Sequence, residues 1–79
     1  MAAYQVLSDV SQGMEVSLID FYINPEDTQR LAELGVFEGM RVAVISNSTK
    51  YSPLIIAHRG SKVVLSRQIA RNIEIYQEM

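Results

Sequence analysis

Arg30-Leu31-Ala32-Glu33-Leu34-Gly35-Val36-Phe37-Glu38-Gly39-Met40 is the stretch whose reading decides how this chain folds. Leu31 and Leu34 recur at helical spacing, and Gly35 offers the left-handed stop with which helices commonly end. Four residues later Gly39 opens onto a run that alternates with period two, the signature of a strand. Upstream, Asn24-Pro25-Glu26-Asp27 supplies an N-cap, a proline suited to the first helical position and two acids where the helix dipole favours them. The spacing therefore predicts a helix over 25–34.

Outward from this helix the pattern is β. Residues 40–45 set Met40, Val42 and Val44 against Arg41, Ala43 and Ile45, and a polar loop follows over 46–53. Residues 54–58 and 62–65 predict a hairpin closed around Arg59-Gly60-Ser61, with Gly60 at positive φ. Ser66 caps a short helical turn over 67–71 that buries Ile69 and Ala70, and 73–76 predict a closing strand. Before the helix, 4–7 predict a short first strand or an extended entry, 8–13 a turn, and 15–22 a strand carrying apolar residues on both faces (Val16 and Leu18 against Ile19 and Phe21). That strand is expected to bend or to straddle two layers. Six short strands on 79 residues cannot build a broad sandwich. The expectation is a mainly β fold, a small SH3-like β-barrel closed so as to remove its edges, with one α-helix over an opening and a single domain spanning 1–79.

Composition narrows the chemistry. A domain of this size buries only roughly 60% of the surface its unfolded chain exposes. With no cysteine there is no disulfide and no thiolate site, so packing must hold the fold. No run approaches the length of a membrane span, and residues 1–10 lack the basic segment of a signal peptide and carry Asp9, so a cytoplasmic protein without direct membrane insertion is expected. The net charge of −2 disfavours nucleic acid as a partner. Charge is unevenly spread: residues 1–40 carry one basic and seven acidic side chains, net −6, and residues 41–79 six basic and two acidic, net +4. Either the surface is bipolar, which would permit weak self-association, or the fold interleaves the halves and averages the charge.

No catalytic set is readable: there is one histidine, no nucleophile motif and no phosphate loop, since Gly35 and Gly39 stand too close together and no lysine follows. The expectation is that the chain is not an enzyme. His58 is the single weak candidate for a metal ligand, because tight sites want three or four converging donors. Val36 and Phe37, between two glycines, either both pack into the barrel mouth or leave Phe37 exposed as an aromatic anchor. Tyr51 is either half-buried or a groove aromatic for an extended peptide. Arg59, Lys62, Arg67 and Arg71 form either a solvated basic face or one that meets an acidic protein.

Three groups of residues carry a resemblance. They are Leu7-Ser8-Asp9-Val10 with Gly13; residues 30–39 of the opening quotation; and Pro53-Leu54 followed by Gly60, Val63, Leu65, Arg67, Ala70 and Ile73-Glu74-Ile75. In this order the chain resembles the FeoA family of small SH3-like proteins over about residues 6–76. It departs from the family in having no glycine over 46–52. The resemblance implies a cytosolic, noncatalytic accessory protein of bacterial ferrous iron transport, docking on the GTP-binding part of the membrane transporter FeoB. The alternative it implies is a domain that binds a transition metal (Fe2+) or responds to a ligand. Similar domains close iron-dependent repressors of the diphtheria-toxin-repressor type, but no helix-turn-helix segment is readable in these residues. The expected partner contacts are Gly35, Val36, Phe37, Gly39, Tyr51, Arg59 and Lys62, with no metal ligand assigned.

Overall fold

Period-two alternation becomes one antiparallel sheet. The computed structural model describes residues 5–77. A 3-10 turn at Leu7–Asp9 precedes β1 (Glu15–Phe21), α1 (Pro25–Glu33), β2 (Arg41–Ser46), β3 (Leu54–His58), β4 (Ser61–Leu65), α2 (Arg67–Ala70) and β5 (Ile73–Tyr76). The strands lie in the order β4-β3-β2-β1-β5. Alternate residues point inward, so Val16, Leu18, Val42, Val44, Leu54, Ile56, Leu65, Ile73 and Ile75 form the core with Leu31 and Ala70 from the helices and Val36 from the loop after α1.

The expected SH3-like architecture stands, with two corrections. The sheet is not closed: β4 and β5 are its two ends, separated by the α2 segment, which Ser66 starts directly after β4 by accepting from the Ile69 N–H at 3.1 Å. Of the strand or extended entry expected over 4–7, no strand forms among the described residues, Val6 is extended and Leu7 already starts the 3-10 turn. Tyr4 lies outside the described residues, Val6 makes one bridge to Glu74, and the Ile75 N–H donates to the Gln5 carbonyl at 3.0 Å. The chain then winds through the 3-10 turn, which brings both Leu7 and Val10 into the core, an arrangement that an extended segment could not give two residues three apart. Residues 5 and 6 thus cover part of the outer edge of β5.

β1 explains why its sequence is apolar on both faces. Leu18 pairs with Ile75, but Phe21 pairs with Ile73, so three steps on β1 oppose two on β5. The extra residue reverses the pleat. Phe21 consequently packs against the core although it shares parity with the outward Ile19. Its N–H is met by the Glu38 carboxylate at 3.0 Å, from the turn before β2.

The largest cluster of side-chain hydrogen bonds joins segments that the sheet does not. Arg67, on α2, donates through Nε to the Ser52 carbonyl (3.0 Å), through Nη2 to Asn47 Oδ1 (2.6 Å) and the Thr49 carbonyl, and through Nη1 to the Ser8 carbonyl (3.5 Å). Asn47 in turn donates to the carbonyls of Val10 (2.7 Å) and Ser8 (3.1 Å). With Oδ1 accepting from a guanidinium and Nδ2 facing two carbonyls, the orientation of the amide follows from its partners. Thr49 organises the rest of the loop, its hydroxyl accepting from the N–H groups of Tyr51 and Ser52.

Replacing Arg67 with alanine strands several half-buried acceptors, and is expected to cost about 2–3 kcal/mol. Arg67→Lys should recover less than half of that, because an ammonium cannot span the same fork. Urea denaturation of the two variants against the parent chain measures both values.

Candidate functional site

The site grows from the helix stop. Leu34 is the C-cap of α1, so the helix ends at Glu33, one residue before the expected boundary. The Val36 N–H donates to the Leu31 carbonyl (2.8 Å) and the Gly35 N–H to the Ala32 carbonyl (2.9 Å), the paired bonds of a Schellman motif, with Gly35 at φ +85°. Leu31 and Val36, the apolar pair that accompanies such a cap, are both 2% exposed. Leu34, expected to share the buried face of Leu31, is instead 53% exposed, because at the C-cap it has left the helical stripe.

A β-turn over 37–40 follows. The Met40 N–H donates to the Phe37 carbonyl (3.4 Å), and Gly39 at φ +89° holds the third position as a type II turn requires. Gly39 and Met40 exchange hydrogen bonds with Leu18, both at 2.7 Å, which fastens the turn to β1. Of the two apolar side chains between the glycines, Val36 is core and Phe37 is 53% exposed.

The β3–β4 hairpin provides the other wall. Its register is unbroken from Leu54↔Leu65 to His58↔Ser61, so the loop is Arg59-Gly60 alone and Ser61 belongs to the strand. Both loop residues have positive φ, 50° and 85°, which defines a type I′ turn. The expected three-residue closure was one residue too long because Arg59 gave no sign that it would enter the left-handed region.

Between these walls lies a hollow of about 140 Å³ lined by residues 34–36 on one side and Ile56, His58, Arg59, Ser61 and Val63 on the other. Gly35, Val36 and Arg59 of the expected contact set meet here, and Lys62 projects exposed from β4 alongside. Phe37 and Gly39 do not line it. Tyr51 stands elsewhere, 86% exposed, with the Lys50 ammonium 5.4 Å from its ring centre, in a separate depression with Ser8, Asp9, Arg67 and Arg71. Leu34 and Val63, which sequence reasoning did not single out, help form the hollow; no local pattern marks them, since the two walls are about twenty residues apart in sequence.

The four basic residues read as one face divide in the fold. Arg67 is consumed by the loop clamp, whereas no acidic partner meets Arg59 or Lys62 among the described residues. Where the halves of the chain do interleave, charge is averaged: Arg41 of β2 lies 3.3 Å from the Glu15 carboxylate of β1. His58 lies within hydrogen-bonding distance of the Arg41 carbonyl through Nδ1 (3.0 Å), and no group of three histidine or carboxylate side chains converges among the described residues.

The profile of the family described as FeoA domain matches residues 5–77. Among solved structures, an iron uptake regulatory protein (FeoA) superposes with a TM-score of 0.84 at 18% identity, covering 96% of this chain and 100% of that one. The FeoA protein from Chlorobium tepidum gives 0.85 at 20% identity, covering 95% and 71%. A manganese-dependent transcriptional repressor gives 0.85 at 15% identity over 99% of this chain, which spans 44% of that protein. At these identities the structural likenesses establish the fold alone. No curated relative matches in sequence.

Gly35→Ala tests the helix stop. A Cβ there meets nothing within 4 Å, so the cost is that of the backbone, about 1 kcal/mol, and asparagine should recover at least half of it. In thermal unfolding this corresponds to a loss of roughly 4–8 °C for alanine. Arg59→Asn, which suits the first position of a type I′ turn, should instead raise the melting temperature by roughly 2–4 °C.

Proposed function

This chain belongs to the FeoA family, and from that premise we propose that it is a noncatalytic accessory protein of ferrous iron transport, docking on the cytosolic GTP-binding part of the FeoB transporter to regulate it. What supports the reading is the hollow between the helix stop and the β3–β4 hairpin. There an exposed leucine and an apolar floor adjoin Arg59, and Lys62 projects from the other side of β4; neither cation meets an acidic side chain among the described residues. Such a surface has what a small contact site needs, an apolar centre with a charged rim. A structurally similar FeoA protein is an iron uptake regulatory protein, which agrees with the process. Docking would regulate the transporter by binding one of its conformations more tightly than another.

Titration of the transporter's soluble GTP-binding domain with this protein, in each nucleotide state, tests the proposal. Binding is expected in at least one state, and Arg59→Glu combined with Lys62→Glu should weaken it about tenfold, a factor that shrinks as salt screens the charges. No binding in any state, together with unchanged ferrous iron uptake in a deletion strain, would overturn it.

A further inference from the structure

We infer that β4 is a strand-addition edge: an extended segment of a partner protein, alternating apolar with acidic residues, pairs with its free side. The inference specifies how the docking surface proposed above takes its partner, and so rests on that reading.

The edge follows from register. β4 ends the sheet, and among the described residues its hydrogen-bonded neighbour is β3 alone. In a hairpin closed by a two-residue type I′ turn, the residues flanking the loop exchange both backbone bonds, so His58↔Ser61 is a hydrogen-bonded pair. Alternation along the unbroken register makes Ile56↔Val63 and Leu54↔Leu65 hydrogen-bonded as well. The N–H and C=O groups of Lys62 and Val64 therefore point away from β3, presenting two donor–acceptor sets to an added strand. The other end of the sheet differs, since residues 5 and 6 already occupy part of the outer side of β5.

The side chains around this edge select the occupant. Ser61 and Val63 lie on the side of β4 that opens on the 140 Å³ hollow, and Lys62 and Val64 lie on the other, Val64 being 62% exposed. An added strand would direct alternate residues to these two sides. Those beside Val63 meet the apolar hollow with Leu34 and Val36. Those beside Lys62 meet a cation, with Arg59 at the adjoining turn. Residues 54–65 contain these two cations and no carboxylate, so a second copy of β4 would bring like charge against like. An acidic partner strand is the complementary occupant.

Panning a library of random twelve-residue peptides on the folded chain tests this without a known partner. Expected are enriched sequences that alternate apolar residues with aspartate or glutamate. The amides of Lys62 and Val64 should gain at least tenfold protection from hydrogen exchange when such a peptide binds. Val64→Pro removes one outward N–H while leaving the bonds to β3, and should weaken the enriched peptide at least tenfold. Lys62→Glu, an exposed substitution that leaves the backbone intact, should weaken it similarly and favour basic peptides instead.

Failure to enrich alternating acidic sequences, or equal binding to both variants and the parent, would overturn the inference. So would a chain that elutes as a dimer when unmodified and as a monomer when Val64→Pro, since a second copy would then be the occupant. A transporter domain that binds the parent and Val64→Pro equally removes strand addition but leaves docking standing, whereas a domain that binds neither removes the docking reading itself.

Discussion

One guanidinium holds together what the sheet leaves apart. Arg67 reaches the Ser8, Thr49 and Ser52 carbonyls and the Asn47 amide, and Asn47 passes the connection on to Val10. The segments involved are the 3-10 turn, the loop between β2 and β3, and α2, none of which shares a ladder with the others. Because β4 and β5 do not pair, the end of the sheet near α2 has no backbone closure. A planar group with five donors in a fixed fork can satisfy several carbonyls converging from different loops, which a flexible ammonium cannot. In a domain without disulfides and with a thin core, such a clamp has the place that a sixth strand would otherwise take.

The same economy governs the middle of the molecule. The bulge in β1 turns Phe21 inward, leaves its N–H without a ladder partner, and receives the Glu38 carboxylate in compensation. Glu38 can be there because Gly35 ends the helix, Gly39 closes the next turn, and both Gly39 and Met40 are bonded to Leu18. Helix stop, bulge and turn are thus one connected arrangement, and it fixes the wall of residues 34–36 against the hairpin. The hollow inherits its shape from that rigidity. Arg59 at its rim and Lys62 on the other side of β4 meet no acidic side chain among the described residues, and β3 and β4 carry none.

Some of this was legible in the residues. The Asn24-Pro25 start of α1, its glycine stop, the hairpin strands and the Ser66 cap each rest on local chemistry, and each is present within a residue of its expected place. Gly35, Val36 and Arg59 were identified one by one as candidate contacts, but nothing local said that they share a hollow, nor that Tyr51 belongs to a different depression. Arg67 looked like one more surface cation, since a sequence shows charge but not which carbonyls will converge upon it. The exposure of Phe37 was open for the same reason: two apolar residues between glycines look alike until the Schellman cap commits Val36 to the core.

By itself, the sequence determined where α1, the short helical turn and the strands from β1 to β5 lie, because periodicity, caps and glycine stops act over a few residues. Only the tertiary structure decided that the sheet stays open, that the turn expected from residue 8 begins at Leu7, that Phe21 faces inward, and that a helix stop and a hairpin about twenty residues later enclose one hollow. Those outcomes depend on register and on long-range hydrogen bonds, whose partners are set by how strands align and not by any neighbour in the chain. For the stretch from Arg30 to Met40, local chemistry determined where the helix stops; packing alone determined that Leu34 and Phe37 would remain at the surface.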